Sequence, residues 1–352
     1  MNAPDKPSLW SWLPGFLALA LIWGASFLFI KVGIRELHPL YVTLGRVSVG
    51  ALTLLALLGA TRDRLPRDLK LWGHLAVVAA VGVATPFTLF GYGEQRIPTV
   101  LAGIWNATTP LVVLPMAVLV FRTERMNSRR ATGLVLGFIG VLVVLGAWQG
   151  ASGGSFIGQL LCFAAAACYG VVIPYQKRFI LRHDASGVAL AAGQLVMATV
   201  QLAVIAPLVA GPPAAPWRLS PEVIASVLVL GALGSGLSFV VNLRNIKLVG
   251  ASTASMVTYL IPVVAVLIGV LVLDERLTWY QPVGAAIVLA GVAISQTGAA
   301  NSPRTDSPGP DSPDPSSPDP DGRPRTASDA DAVPVSDRVT GSIPATGQRA
   351  RC

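Results

Sequence analysis

The feature that most constrains this 352-residue chain is a series of apolar runs, several of 18 or more residues, in which charged residues are almost absent. A helix needs about 20 residues to cross a hydrocarbon core of about 30 Å, so runs of this length predict transmembrane helices. The composition agrees, because 53% of the residues are apolar and only 12% are charged, about half the charge of an ordinary soluble domain. We therefore predict an all-α integral membrane protein.

Ten transmembrane helices follow from the apolar windows. The first begins soon after Lys6 and could be mistaken for a signal peptide, but its apolar stretch continues to Ile30. A secretory signal would be cleaved earlier, so we predict that this span is retained. The predicted helices cover residues 13–32, 38–60, 71–93, 98–121, 131–148, 156–176, 187–210, 222–243, 251–273 and 281–297.

The loops between these helices differ in charge. If the N-terminus is inside, the inner loops hold 13 Lys and Arg residues and the outer loops hold 5. Because Lys and Arg concentrate in cytoplasmic loops, this asymmetry predicts a multi-pass protein of the cell membrane with both termini in the cytoplasm. The same loops explain the net charge of +8, so we predict contact with membrane lipid and no nucleic-acid partner.

The chain contains an internal repeat. A shift of 151 positions superposes two charged hairpins and the glycines that follow them, pairing Glu124 with Glu275, Arg125 with Arg276, Gly133 with Gly284, and Gly140 with Gly291. This predicts two five-helix units at 13–148 and 156–297. Since five is odd, the second unit must enter the membrane inverted, an arrangement typical of secondary transporters. Residues 274–276 should then be a hydrated turn on the outer face rather than a buried charge cluster.

Two flanking segments complete the predicted organisation. Residues 1–12 are expected to be a cytoplasmic N-terminus. Residues 299–352 hold 10 of the 27 prolines and no Leu, Phe, Tyr or Trp. Such a segment cannot bury enough apolar surface to offset its ordering entropy, so we predict a disordered Pro/Ser/Asp-rich cytoplasmic tail.

Several motifs together resemble the EamA-type members of the drug/metabolite transporter superfamily. They are LIWGASFLFIKVGI in the first span, a single arginine in the second, TTP followed by RTER, and LIP followed by LDER. The resemblance covers residues 13–297 and implies ten helices in two inverted EamA repeats that move small metabolites, often amino acids outward. The second copy departs from the pattern, with Tyr169 in place of Trp23 and Gln194 closest to the position of Arg46.

Arg46 is the only strongly basic residue well inside a predicted span, about 12 Å from His38 at a rise of 1.5 Å per residue. An arginine at this depth costs a few kcal/mol, which something must offset. It could face a water-filled cavity and bind a substrate carboxylate with its planar guanidinium. Alternatively, it could extend outward to the interface or bond the carbonyls of a broken helix.

Other polar, aromatic and proline residues lie at comparable depth. Pro110 and Pro262 occupy similar positions in the two units and should each free a carbonyl, which makes them candidate hinges of broken helices near a midplane site. The remaining side chains either satisfy neighbouring helices or line the path. The predicted substrate-binding residues, together with Arg46, are Trp23, Asn106, Tyr169, Gln194, Asn242 and Tyr259.

Energy coupling is the least determined property. The chain has no P-loop motif for ATP hydrolysis. Glu94, at the end of the third span, is the best candidate for proton coupling, while exchange and facilitated diffusion stay open. The three cysteines and three histidines show no metal-site spacing, and no cofactor is predicted.

We predict a secondary transporter that moves a small metabolite, an amino acid or similar carboxylate-bearing solute, by alternating access, with efflux as the expected direction. The alternative is a membrane-embedded enzyme acting on a lipid-linked substrate. Such an enzyme needs a nucleophile, a metal cluster or paired carboxylates at the lipid interface, and the sequence offers none of these. A structural or receptor-like membrane protein is a third possibility.

Overall fold

The computed structural model describes residues 9–122, 126–146, 154–180, 182–183, 185–255 and 257–300. Within these ranges the regular structure consists of ten long helices and one three-residue 3₁₀ turn at Pro216–Arg218, which confirms the predicted all-α architecture. The hairpin residues Glu124 and Arg125 and the predicted tail from residue 301 onward lie outside the described residues. The helices are α1 Leu9–Gly33, α2 Pro39–Thr61, α3 Leu69–Glu94, α4 Thr99–Val120, α5 Ser128–Leu145, α6 Gly154–Phe179, α7 Gly187–Ala210, α8 from Pro221 to Ser255, α9 Val257–Val272 and α10 Tyr280–Ala300.

The helices have the lengths and surfaces of membrane spans. Among the described residues, seven helices, α1 to α4 and α6 to α8, are long and apolar enough to cross a bilayer. Shorter apolar stretches occupy Leu260–Val272 in α9 and Tyr280–Ile294 in α10. Large apolar side chains such as Leu208 and Leu271 are exposed on the protein surface. Such an apolar surface is stable in lipid. The backbone is also compatible with lipid, because the helices satisfy their own polar groups.

Three predicted helix boundaries are wrong. The eighth helix was expected to end at residue 243 and the ninth to begin at residue 251, but α8 continues to Ser255 and α9 is described from Val257. Gly250 lies inside α8, and glycine is common in membrane helices. At the N-terminus, α1 begins at Leu9, so residues 9–12 are helical rather than part of a terminal segment.

The two candidate hinge prolines occupy different local structures. In α4 the helix stops at Asn106 and restarts at Thr109, so that Pro110 lies in the first turn of the new segment. The carbonyl of Asn106 accepts a hydrogen bond from the Thr109 hydroxyl at 2.8 Å. In α9, by contrast, Pro262 lies inside an uninterrupted helix. The predicted equivalent breaks are therefore not equivalent, because a membrane helix can tolerate proline without breaking.

The third helix of each unit contains a π-helical segment. These segments are Ala80–Ala84 in α3 and Leu230–Leu237 in α8. A shift of 151 positions carries the first segment into the second, so the repeat extends to this irregularity. π-helical turns are rare in proteins as a whole, but those that occur inside α-helices are often found at functional sites.

The two five-helix units are interleaved rather than packed as separate bodies. Helix α1 packs on α8 and α9, and its repeat equivalent α6 packs on α3 and α4. Helix α2 packs on α7 and on the π-helical segment of α8. Most of the helix packing therefore joins one unit to the other.

The contact between α5 and α10 shows that the two units are related by a twofold operation. A Cβ added at Gly140 would lie 2.6 Å from the Val288 nitrogen and 3.0 Å from the Gly284 carbonyl oxygen. A Cβ added at Gly284 would lie 2.6 Å from the Val144 nitrogen and 2.9 Å from the Gly140 carbonyl oxygen. Contacts further along pair Gly137 with Gly291, so the helices run antiparallel. Each presents the same glycine face to the other, as in an isologous interface.

Candidate functional site

Arg46 lies in the interior of the helix bundle, where the contacts that the structure describes are with uncharged side chains. Its side chain is 6% exposed, and its Nε donates a hydrogen bond to the Ser235 hydroxyl at 2.9 Å. The guanidinium lies over the Phe87 ring, 3.7 Å from the ring centroid. Ser235 belongs to the π-helical segment of α8, and Phe87 follows the π-helical segment of α3. One contact to the arginine thus comes from a π-helical segment and the other from the turn that follows the equivalent segment.

Small residues allow α2 and α8 to approach closely enough for this contact. A Cβ added at Gly231 would lie 2.8 Å from the Arg46 carbonyl oxygen, and one added at Gly50 would lie 3.0 Å from the Cβ of Ser235. Any larger side chain at either position would separate the helices. The glycines therefore position the serine hydroxyl against the arginine.

The electrostatics of Arg46 favour an anionic ligand. Burying a charge without a counterion costs several kcal/mol. A desolvated cation–π contact returns about 2 kcal/mol, and one hydrogen bond from a charged group adds about 1.5–3 kcal/mol. Among the described residues no carboxylate pairs with Arg46. Its planar guanidinium retains N–H donors beyond the Nε bond, a geometry suited to binding a carboxylate with two parallel hydrogen bonds.

The aromatic candidates Trp23 and Tyr169 lie near this arginine. Tyr169 lies within electrostatic range of Arg46, and the centroid of its ring lies 6.3 Å from that of Phe90. Trp23 is half-buried and packs on the same core cluster as Tyr169. It lies one turn before Ser26 in α1, and a Cβ added at Gly234 would lie 3.2 Å from the Ser26 Oγ and 3.7 Å from an Arg46 guanidinium nitrogen. The structure therefore brings Trp23, Tyr169 and Arg46 into one region of the bundle.

The polar candidates are more dispersed. Asn106 is half-buried at the break in α4. Gln194, in α7, is 9% exposed, and Asn242, in α8, is half-buried, about 10 Å along the helix from Ser235. In the described part of the chain, no hydrogen bond joins either of these two to Arg46. The side chain of Tyr259 lies outside the described residues.

A second polar cluster lies where α1 and α3 end and α4 begins, which we call the Glu94 end. Here the prediction that residues 274–276 form only a hydrated turn is partly wrong. Asp274 and Arg276 are exposed, but Glu275 is half-buried and its carboxylate accepts hydrogen bonds from the backbone amides of Thr99, at 2.7 Å, and Val100, at 2.9 Å. These amides are available because the first turn of a helix has no internal acceptors and the preceding proline has no side-chain acceptor to offer.

Glu94 is fully buried within this cluster. The Thr99 hydroxyl donates to its Oε2 at 3.5 Å, while its Oε1 has no hydrogen-bond partner among the residues that the structure describes. Beside it, the Lys31 ammonium donates to the carbonyls of Glu94, at 2.5 Å, and Ile97, at 3.2 Å, rather than to a carboxylate. An open cavity of about 630 Å³ reaches the cluster from the surface, and its charged lining residues are Lys31, Arg35, Glu94, Arg96 and Glu275.

An aromatic layer lies between the two polar clusters. Phe27 and Phe90 are 5% and 3% exposed and meet edge to face, with their centroids 5.4 Å apart. At a rise of 1.5 Å per residue, Phe90 lies about 6 Å below Glu94 along α3, and Phe87 lies about 10 Å below it. Because Phe87 contacts Arg46, the arginine lies beneath both the aromatic pair and the Glu94 cluster.

The model of the EamA-like transporter family matches residues 10–146 and again residues 156–297. The chain belongs to the EamA-like transporter family. Two EamA domains thus make up this multi-pass membrane protein. It belongs to a family of transporters, not of enzymes. The family assignment agrees with the resemblance noted in the sequence motifs.

Named relatives of this EamA transporter align along most of their length. The "Uncharacterized transporter YoaV" of Bacillus subtilis is 28% identical over 282 residues, covering 79% of this chain and 94% of that relative. The "Probable amino-acid metabolite efflux pump" of Salmonella typhimurium is 25% identical over 309 residues, covering 81% and 95%. The "Probable terminal-alkyne amino-acid exporter" of Streptantibioticus cattleyicolor is 27% identical over 275 residues, covering 77% and 89%.

A solved crystal structure of a protein 20% identical in sequence matches this fold with a TM-score of 0.58, covering 84% of this chain and 100% of that one. At this identity the match supports the fold alone. The family model therefore establishes the family, and the solved structure supports the fold.

Proposed function

We propose that this EamA transporter exports an amino acid or a similar carboxylate-bearing metabolite, and that Arg46 binds the substrate carboxylate. The observation that carries the proposal is a buried arginine that has a serine and a phenylalanine as neighbours but no counterion among the described residues. A substrate carboxylate would supply the missing charge by bidentate hydrogen bonding.

The names of similar proteins support the substrate class and the direction. A relative from Salmonella typhimurium and one from Escherichia coli are both named probable amino-acid metabolite efflux pumps. An amino acid carries the carboxylate that would pair with Arg46, so the chemistry of the site and these names agree. Trp23 and Tyr169 would contact the substrate side chain, while Asn106, Gln194, Asn242 and Tyr259 would line the path at other depths.

The transport mechanism proposed is alternating access around this site. Because the two EamA units interleave, rocking of one five-helix half against the other would break most of the helix packing. The moving bodies are instead α1 with α8 and α9, and their repeat equivalents α6 with α3 and α4. The broken α4 at Pro110 is the better hinge candidate, and Pro262 would act through a helix that stays continuous.

The proposed orientation places both termini in the cytoplasm, on the basis of the Lys and Arg distribution in the loops. Single cysteines at positions 127 and 278, introduced into a cysteine-free variant, should react with an impermeant maleimide from opposite sides of the membrane. Reaction of both from the same side would contradict the inverted arrangement.

Flux measurements in proteoliposomes test the function. The probe is a mixture of radiolabelled proteinogenic L-amino acids, with the corresponding decarboxylated amines as a comparison. Wild-type protein should exchange at least one amino acid and not its amine. Arg46→Ala should abolish the exchange, and Arg46→Lys should reduce it because a point charge replaces the planar fork.

Arg218→Ala is the matched control, because Arg218 is exposed in the connection between α7 and α8. It should transport as the wild type does. Folding of every variant is checked by size-exclusion chromatography in detergent. Full exchange by folded Arg46→Ala protein would refute the role of Arg46, and absence of flux for every amino acid with the wild type would refute the substrate class.

A further inference from the structure

The Glu94 end joins four segments of the chain through charged and polar groups. Lys31 of α1 bonds the last carbonyl of α3 and the carbonyl of Ile97, and Glu275 of the α9–α10 hairpin holds the first amides of α4. These bonds tie α1, α3, α4 and the hairpin together above the aromatic pair Phe27 and Phe90. This end of the bundle is therefore closed over the Arg46 region by a charged cluster and an apolar layer.

Glu94 is the member of this cluster whose hydrogen bonding is incomplete. It is 0% exposed, and one of its two oxygens has no donor within the described part of the chain. An ionised carboxylate in this position would be a buried anion with an unsatisfied oxygen, which costs several kcal/mol. A neutral carboxylic acid needs only one partner, and the Thr99 hydroxyl supplies it. The positions of the Lys31 donors agree, because they point to backbone carbonyls and not to the carboxyl group.

We propose that Glu94 is a proton-binding site and that the bound proton keeps the Glu94 end closed. This proposal rests on the proposed function in one respect only, namely that the closed end lies on the substrate path to Arg46. Protons reach Glu94 from water through the open cavity, and on release the proton returns to water while the carboxyl group becomes a carboxylate. No other bond is made or broken in this step.

The surrounding charges explain how loss of the proton opens this end. Lys31 faces Glu94 from α1, Glu275 from the hairpin and Cys162 from α6, while Arg35 and Arg96 line the outer cavity. Once Glu94 is ionised, Lys31 is drawn from the two carbonyls to the carboxylate. The new negative charge also repels Glu275, which weakens its bonds to the first turn of α4. Water then enters to hydrate the anion, and the closure is lost.

Cys162 is a native reporter of this opening. It is 0% exposed and packs against Gly93, the residue before Glu94. The experiment measures the rate at which N-ethylmaleimide labels Cys162 in a Cys168→Ser, Cys352→Ser background, from mildly acidic to mildly alkaline pH. The same measurement on the Glu94→Gln variant removes the effect of pH on the thiol itself, because the amide cannot titrate and has nearly the same shape as the carboxyl group.

The quantity compared is the labelling rate of the protein with Glu94 intact divided by the labelling rate of the Glu94→Gln variant at the same pH. This ratio should be near one at acidic pH and rise with pH by up to about tenfold per unit, the limit for one proton. A ratio that does not change with pH would overturn the proposal. A rising ratio in a protein that moves no amino acid would support it while refuting the proposed function.

A second measurement needs no variant. Hydrogen–deuterium exchange of wild-type peptides containing Thr99 and Val100 is followed over the same pH range and corrected for intrinsic exchange. Protection of these amides should fall as pH rises, because Glu275 releases them when Glu94 ionises. Protection that is constant across the range would overturn the proposal even if Glu94→Gln does not fold.

Discussion

Removing the carboxylate of Glu275 should destabilise the transporter more than its position in a charged surface turn suggests. Its two oxygens satisfy two amides at the start of α4, across 176 and 175 residues of sequence. Hydrogen bonds to charged groups contribute about 1.5–3 kcal/mol each when buried. Since Glu275 is only half-buried, we expect Glu275→Ala to cost about 2–4 kcal/mol in total. Glu275→Gln keeps one acceptor oxygen and should cost about half as much.

The assay is the apparent melting temperature of the purified protein in detergent. At roughly 2–4 °C per kcal/mol, Glu275→Ala should lower it by on the order of 5–10 °C. Asp274→Asn is the matched control, because Asp274 is an exposed neighbour with a φ of 52° and asparagine tolerates that conformation. If Glu275→Ala melts at the same temperature as Asp274→Asn, the carboxylate does not hold α4 and the reasoning fails.

Two further perturbations test other parts of the fold. Gly140→Ala should prevent stable folding, because the added Cβ would lie 2.6 Å from a backbone nitrogen of α10. Gly59→Ala should fold normally, because no described atom lies within 4 Å of its new Cβ. Equal expression and monodispersity of the two variants would contradict the close packing. The Ser186 hydroxyl, and then the Arg64 amide, hold the pKa of Asp63 below its usual value. The stability that this gives is present above the unfolded pKa of about 3.9 and is lost as pH falls through the folded pKa. Ser186→Ala should therefore make the stability of the protein fall less steeply at acidic pH. An unchanged acid dependence would refute the pairing.

The helices were predictable from the sequence because each apolar run carries its own information about length and position. The repeat was predictable because the glycines of α5 and α10 recur at a fixed shift. The end of α8 was not, since the apolar run stops before Arg244 while the helix continues to Ser255.

The site was predicted only where a single residue stood out against its surroundings. Arg46 is such a residue, but its partner Ser235 is 189 positions away and sits in a glycine-rich segment with no polar neighbour of note. Glu275 looked like part of a solvated turn because the amides it binds belong to the other EamA unit. Contacts of this kind depend on tertiary approach, which spacing along one chain does not encode. The π-helical segments of α3 and α8 have no distinctive local sequence pattern, and their recurrence at the repeat shift is visible only in the structure.

The interleaving of the two EamA units has a consequence for biosynthesis. When the ribosome has delivered α1 to α5 to the bilayer, these helices lack the neighbours on which they pack in the finished protein, because those neighbours have not yet been translated. The early helices must wait as loosely associated spans, and compact tertiary structure can form only after α6 to α10 arrive. For the same reason, severing the connection between α5 and α6 should give two fragments that are each unstable alone. When both fragments are produced in the same cell, they should form a native assembly.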